Sequence, residues 1–267
     1  MFELEFMRNA YVAGTLIAIL SGVMGVFVIA RNMSFLSHTL SEIGFAGASF
    51  GIFMGWSPLN GMLLFTTISS ILVGELSSQV ESRRESVISA ISGLFIGLGI
   101  LFLALAQTNS SYATNILFGS VIGISQQNVN QMILLSSLVL VVILLIFRDL
   151  KADSFDPIGA RVNKVHSSLM SILFLVMLAF SVSVAAQIVG SLLIFILLTL
   201  PAASSKYFAH TVFKMTGLAI VFALTGVWLG LYLGYLTNWP VTFFISTIEV
   251  IIYAIALFYN SLRNRSE

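Results

Sequence analysis

The sequence predicts an all-α, polytopic transmembrane bundle of about eight spans (roughly seven to ten), and three observations carry that expectation. Of its 267 residues, 58% are hydrophobic and only 9% are charged, where a soluble domain carries about 25% charge. The apolar residues gather in runs near the length an α-helix needs to cross about 30 Å of hydrocarbon. The period-2 alternation that marks an outer-membrane barrel is absent. Inside lipid every backbone N–H and C=O must be satisfied within the protein, so long apolar runs without barrel patterning mean helices. The chain therefore reads as one transmembrane domain, residues 1–267, multi-pass in the cell membrane.

The spans follow in order. Tyr11–Ala30 is too long for the core of a signal peptide and lacks a small-residue cleavage signature after it, so it is expected to be a retained span. Leu40–Trp56, Gly61–Val73 and Val87–Gln107 come next. Asn115–Ser125 is short and interrupted by glycine, as suits a small, partly inserted helix. Met132–Phe147 leads into the longest polar loop, Arg148–Ser167. The uncharged stretch Ser168–Ala203 reads either as two short spans, Ser168–Phe180 and Ala186–Leu200, or as one span plus a re-entrant segment. Thr216–Leu236 and Val241–Tyr259 complete the set.

Basic residues orient these spans. Arg31, the Arg83/Arg84 loop, the loop with Arg148, Lys151, Arg161 and Lys164, the Lys206/Lys214 loop, and Arg263 with Arg265 all fall on one side, expected to be cytoplasmic. The opposite segments, Thr108–Gln131 and Thr237–Pro240, contain no lysine or arginine. The N-terminus is then outside.

The same composition narrows the chemistry. A net charge of +1 with no dense basic patch leaves no basis for nucleic-acid binding. Without cysteine, any metal must be met by oxygen and imidazole. No Gly-x-x-x-x-Gly-Lys-Ser/Thr phosphate loop, no His-Glu-x-x-His helix and no Gly-x-Ser-x-Gly elbow occurs, so nothing supports an enzymatic activity of the chain's own.

The most informative stretch is Ser34–Gly51. His38 and Glu42 are four residues apart, which on a helix stacks them on one face. Ser34, Ser41 and Ser49 recur at helical spacing on or beside that face, while Gly44, Gly47 and Gly51 lie opposite and would admit a close neighbour. Imidazole with carboxylate suits zinc, manganese or iron better than magnesium or potassium. Two ligands are few for tight binding, as a station that must release its ion requires. The plainer alternative is a polar pair that caps or hydrates a helix start.

Glu249, near the middle of the last span, is either a buried structural carboxyl or a pathway group; ionisable side chains within spans are costly and usually functional. Glu75 reads as a solvated helix end, His166 and His210 as surface residues, and Gln187 as a partner for backbone. Asp156-Pro157 opens a short helix well, because proline is preorganised for a first turn. The segment Asp156–Val165, with Arg161 and Lys164, has the mixture of small, apolar and basic residues that either a docking helix or a plain surface helix would have.

Taken together, the chain resembles the permease subunits of binding-protein-dependent ABC importers for zinc, manganese or iron. The resemblance rests on an ordered series: Arg31-Asn32-Met33-Ser34-Phe35-Leu36 followed by Leu40-Ser41 and Gly47; Ser92-Gly93-Leu94-Phe95; Leu117-Phe118-Gly119; Asp156-Pro157; Gln187-Ile188-Val189-Gly190; and Leu200-Pro201-Ala202-Ala203. The family has aspartate where this chain has His38 and histidine where it has Glu42, so the two ligand types are exchanged; Ser120 stands where relatives often have aspartate.

The resemblance implies a transported divalent metal ion, zinc or manganese foremost, and no permanently bound cofactor. His38 and Glu42 would be the metal residues, with Ser41, Ser49 and Glu249 as pathway residues. It further implies a second copy of this chain, a pair of ATP-binding subunits that hydrolyse the ATP, and an extracytoplasmic metal-binding lipoprotein. The cytoplasmic loop at about 148–167, through Asp156, Pro157, Arg161 and Lys164, would pass the ATPase motion to the spans. The competing expectation is an ion-coupled secondary transporter of a cation, in which Glu249 and the His38/Glu42 pair exchange protons with substrate.

Overall fold

The computed structural model describes residues 4–79, 84–107, 115–119, 124–191 and 193–266, and among them the secondary structure is helical, without strands. The helices are α1 (Glu5–Ala30), α2 (Ser34–Phe53), α3 (Pro58–Gln79), α4 (Arg84–Leu105), α5 (Gln126–Phe155), α6 (Pro157–Val162), α7 (Ser167–Val189), α8 (Ile194–Phe208), α9 (Val212–Thr237) and α10 (Val241–Ser266). The side chains of Glu75, Arg83, Arg84, Ser120 and Arg265 lie outside what the structure describes.

The all-α membrane bundle expected from composition is present. Six described helices, α1, α4, α5, α7, α9 and α10, are long and apolar enough to cross a membrane, and Pro58–Leu72 and Ile194–Phe208 are shorter apolar helices. α2 has the length, at 20 residues, but His38, Glu42 and four serines lower its apolarity. It is instead enclosed by protein along most of its length. Several helices overrun their apolar windows. α5 begins at Gln126 and ends at Phe155, because neither Gln126-Gln127-Asn128 nor Arg148-Asp149-Leu150-Lys151 contains a residue that breaks a helix. The uncharged stretch from Ser168 resolves into one helix long enough to span, α7, and the shorter α8. They part at Gly190, whose φ of 82° and ψ of 156° only glycine adopts without strain.

Two compact units emerge: residues 1–34, 121–136 and 195–267, and residues 35–120 and 137–194. The first is organised by glycine seams. Gly14 of α1 faces Val227 and Leu231 of α9, Gly22 faces the Ile220 backbone, and Gly25 meets the Leu198 carbonyl of α8. On α9, Gly226, Gly230 and Gly234 face Glu249, Ile245 and Val241 of α10. Lipid is as apolar as leucine, so helices in it are held by close packing, and small residues allow the closest approach. Val26, Ala202, Met215 and Ala219 fill the core between. Trp228 Nε1 donates to Thr15 Oγ1 at 3.0 Å, and Asn9 Nδ2 donates to the Ile124 carbonyl at 3.1 Å.

In the second unit, Gly47 of α2 and Gly61 of α3 press backbone to backbone, with Gly51 beside them. Phe45, Ala48, Met62, Ile116 and Ala186 form its core. Phe50, Phe65 and Phe102 pack ring on ring at centroid separations of 5.2 Å for Phe50–Phe65 and Phe50–Phe102. The hydroxyls of Thr66 on α3 and Ser183 on α7 share a buried hydrogen bond of 2.8 Å. At the α7 break, Ser191 N–H donates to the Ile116 carbonyl at 3.0 Å, and Gly190 lies against the backbone of Leu117–Gly119, as only a residue without Cβ could.

Candidate metal site

α2 starts directly after a tight reversal in which Asn32 takes a left-handed φ of 53° and Met33 N–H returns to the Val28 carbonyl at 2.9 Å. No glycine or proline interrupts the helix before Gly44, so residues 34–43 are continuous helix and His38 and Glu42 stack as their spacing requires. His38 Nδ1 lies 3.6 Å from Glu42 Oε2, with the two side chains 35% and 15% exposed. That separation is too long for a strong hydrogen bond. It is close to the edge of a tetrahedron with metal–ligand bonds of about 2.0–2.2 Å, which comes to about 3.4 Å. An ion entering between the two groups would need only a slight closure.

A third group attends the pair. Ser92 of α4 donates its hydroxyl to Glu42 Oε2. Two turns further along, α4 also runs close to α2 at Gly99, where a Cβ would fall 3.1 Å from Ala46 Cα and closer still to the Phe45 ring. Ser92 escaped the sequence reading as a site residue. Its signals were its place at the start of the Ser92-Gly93-Leu94-Phe95 motif and a hydroxyl at the head of the apolar run Gly93–Leu105.

The other expected pathway residues are placed differently. Ser41 and Ser49 are 1% and 0% exposed. Ser41 Oγ donates to the His38 carbonyl at 2.7 Å and Ser49 Oγ to the Phe45 carbonyl at 2.8 Å. Short hydroxyls inside a helix reach back to their own carbonyls, so both are occupied within α2 rather than presented beside the pair. Glu249 belongs to the first unit, is fully buried on α10, and faces Gly226 of α9. Neither of its carboxylate oxygens has a hydrogen-bond partner among the described residues. Gln187 Oε1 is likewise buried and unpaired among them. His166 and His210 are exposed, as expected.

Among the described residues no group of three or more His, Asp or Glu comes together as a metal cage. The pair supplies one nitrogen and one charged oxygen, which can hold a divalent ion loosely and give it up again.

The loop beyond α5 folds as its sequence suggests. Asp156 caps α6, accepting from Gly159 N–H at 3.0 Å, and Pro157 occupies the first turn. Ala160 is fully buried and anchors the short helix, whereas Ile158 and Val162 are 79% and 78% exposed. Arg161 and Lys164 are exposed beside them.

Known proteins resemble this chain in sequence and in structure. The manganese import system permease protein ScaB of Streptococcus parasanguinis is 28% identical over 256 residues, covering 96% of this chain and 91% of ScaB. The high-affinity zinc uptake system membrane protein ZnuB of Haemophilus influenzae is 26% identical, covering 87% and 88%. The solved structure of PsaBC from Streptococcus pneumoniae in complex with Fab superposes with a TM-score of 0.86 at 25% identity, covering 95% of this chain and 91% of the matched one. The sequence pattern of the ABC 3 transport family runs through residues 3–260, all but the extreme ends, and to that family this chain belongs.

Proposed function

We propose that this chain is the membrane-spanning subunit of an importer that moves a divalent transition-metal ion, zinc or manganese, into the cytoplasm, driven by ATP hydrolysis in separate subunits. The observation that carries the reading is the His38–Glu42 pair, 3.6 Å apart on a helix enclosed by protein along most of its length. The charge of Glu42 offsets part of the cation's lost hydration, and the imidazole supplies the donor that zinc and its neighbours accept more readily than magnesium does. The names of the relatives, one for manganese import and one for zinc uptake, support the same cargo class.

The remaining parts of the assembly follow from what the chain lacks and what it presents. It has no phosphate loop, so ATP is bound by a partner pair. α6 offers that partner an exposed apolar edge, Ile158 and Val162, on a base held by Asp156, Pro157 and buried Ala160, with Arg161 and Lys164 at its rim. A second copy of the chain and an extracytoplasmic metal-binding lipoprotein complete the importer. Nothing specific favours ion-coupled secondary transport.

The test is uptake of radioactive zinc and manganese by cells carrying the complete system, at matched permease levels. His38→Ala and Glu42→Gln each remove one ligand function, and each should lower uptake by at least about tenfold, the lower end of what loss of a mere outer-shell partner costs. Full uptake by both variants would dispose of the site.

A further inference from the structure

We propose that Ser92 is a positioning residue of the transport site: its hydroxyl holds the Glu42 carboxylate in the orientation that favours zinc over manganese. The inference rests on the metal-site reading above and deepens it. Glu42 extends from α2, where His38 Nδ1 stands 3.6 Å from its Oε2. A hydrogen bond to that carboxylate comes from another helix, where Ser92 donates its hydroxyl to Oε2, the oxygen paired with His38 Nδ1. Ser92 is 9% exposed, so water competes weakly for the hydroxyl. The same two helices also approach closely two turns further along α4, where a Cβ on Gly99 would fall 3.1 Å from Ala46 Cα.

The consequence is geometric. A carboxylate has two oxygens and about four lone-pair sites. With Oε2 bound to Ser92 and turned toward the imidazole, nitrogen and oxygen stand nearly at tetrahedral spacing, which suits a four-coordinate zinc ion. Release of that hydrogen bond frees the carboxylate to rotate and to offer both oxygens, which suits larger, oxygen-preferring ions of higher coordination number such as manganese. Ser92 contributes no charge and need not touch the ion. Its effect is on which ion the pair fits.

The experiment is competitive uptake of radioactive zinc and manganese by cells expressing the complete importer with Ser92→Ala, Ser92→Thr or Glu42→Gln. The binding protein and the ATPase are the same in every strain, so a change in the zinc-to-manganese ratio belongs to the permease. The ratio is also independent of how much permease reaches the membrane. Ser92→Ala should lower it by about tenfold, within the range that loss of an outer-shell partner produces, and Ser92→Thr, which keeps the hydroxyl, should restore it. Ser92→Cys, with only a weak donor, serves as a second variant if the alanine form does not accumulate, and should fall between the two. An unchanged ratio in Ser92→Ala or Ser92→Cys, with uptake lost in Glu42→Gln, would overturn the role of Ser92 and leave the metal site standing. Undiminished uptake in Glu42→Gln would overturn both.

Discussion

Adding a single methyl at Gly47 tests the packing logic of the second unit. The new Cβ would stand 2.8 Å from the Gly61 carbonyl carbon and 2.9 Å from Phe65 Cβ, and would press on the Gly61 carbonyl oxygen. These neighbours are mostly backbone and cannot swing aside, so α2 and α3 must separate by roughly half an ångström or more, a gap that already forfeits about a quarter of the contact energy along the seam. Overpacking of this kind costs about 1–3 kcal/mol. The better helix propensity of alanine recovers less than about 1 kcal/mol of it. Gly44 on the same helix is the internal control. A Cβ there would meet only Thr66 Cγ2, at an ordinary 3.5 Å, so Gly44→Ala should be as stable as the parent or more so, by up to about 1 kcal/mol. Unfolding of the purified complex in mixed micelles of increasing SDS content gives both values on one scale. Equal midpoints for Gly47→Ala and Gly44→Ala would refute the claim that the α2–α3 seam is closed to a methyl group.

Two further outcomes are expected. Glu249→Gln keeps the shape of a fully buried side chain whose oxygens have no hydrogen-bond partner among the described residues, so uptake should stay within about twofold of the parent, as for a substitution that breaks no interaction. Loss of transport at normal abundance would make Glu249 a pathway group instead. Ile158→Asp together with Val162→Asp places charge on the exposed apolar edge of α6 while leaving its Asp156 cap intact. The permease should still insert but should no longer co-purify with the ATPase proposed as its partner, and undiminished co-purification would remove α6 from the proposed contact.

What could be read from the sequence was what is local to one helix. Run length found the six helices long and apolar enough to cross a membrane, because the bilayer sets a single scale for all of them, but it also counted α2, which lacks the apolarity. It placed helix ends poorly, as at α5, because hydrogen bonding carries a helix past its apolar core into polar residues that have no reason to stop it. The i, i+4 relation of His38 and Glu42 was legible for the same local reason. Ser92 was not, since a contact spanning 50 residues of sequence depends on which face α4 turns to α2. Spacing also put Ser41 and Ser49 near the right face without revealing that their hydroxyls are used up by their own helix. The three glycines of α2 looked alike in sequence. Gly47 and Gly51 meet backbone in space, whereas Gly44 meets only a side-chain methyl.

The glycine seam of α1 bears on how the protein is made. Gly47 and Gly61 are close neighbours in the chain, so α2 and α3 can pair as a hairpin soon after they leave the ribosome. Thr15 and Trp228 are 213 residues apart, and the bond between them cannot form until α9 has been synthesised. At a translation rate of about 5–20 residues per second, α1 spends on the order of ten seconds or more in the bilayer before that partner exists. Throughout that interval the small-residue face at Gly14 and Gly22 is unoccupied and open to any helix that can approach it. A segment inserted well before α9 is therefore among the last to reach its final neighbours, and a chain cut short before α9 would leave it permanently without them.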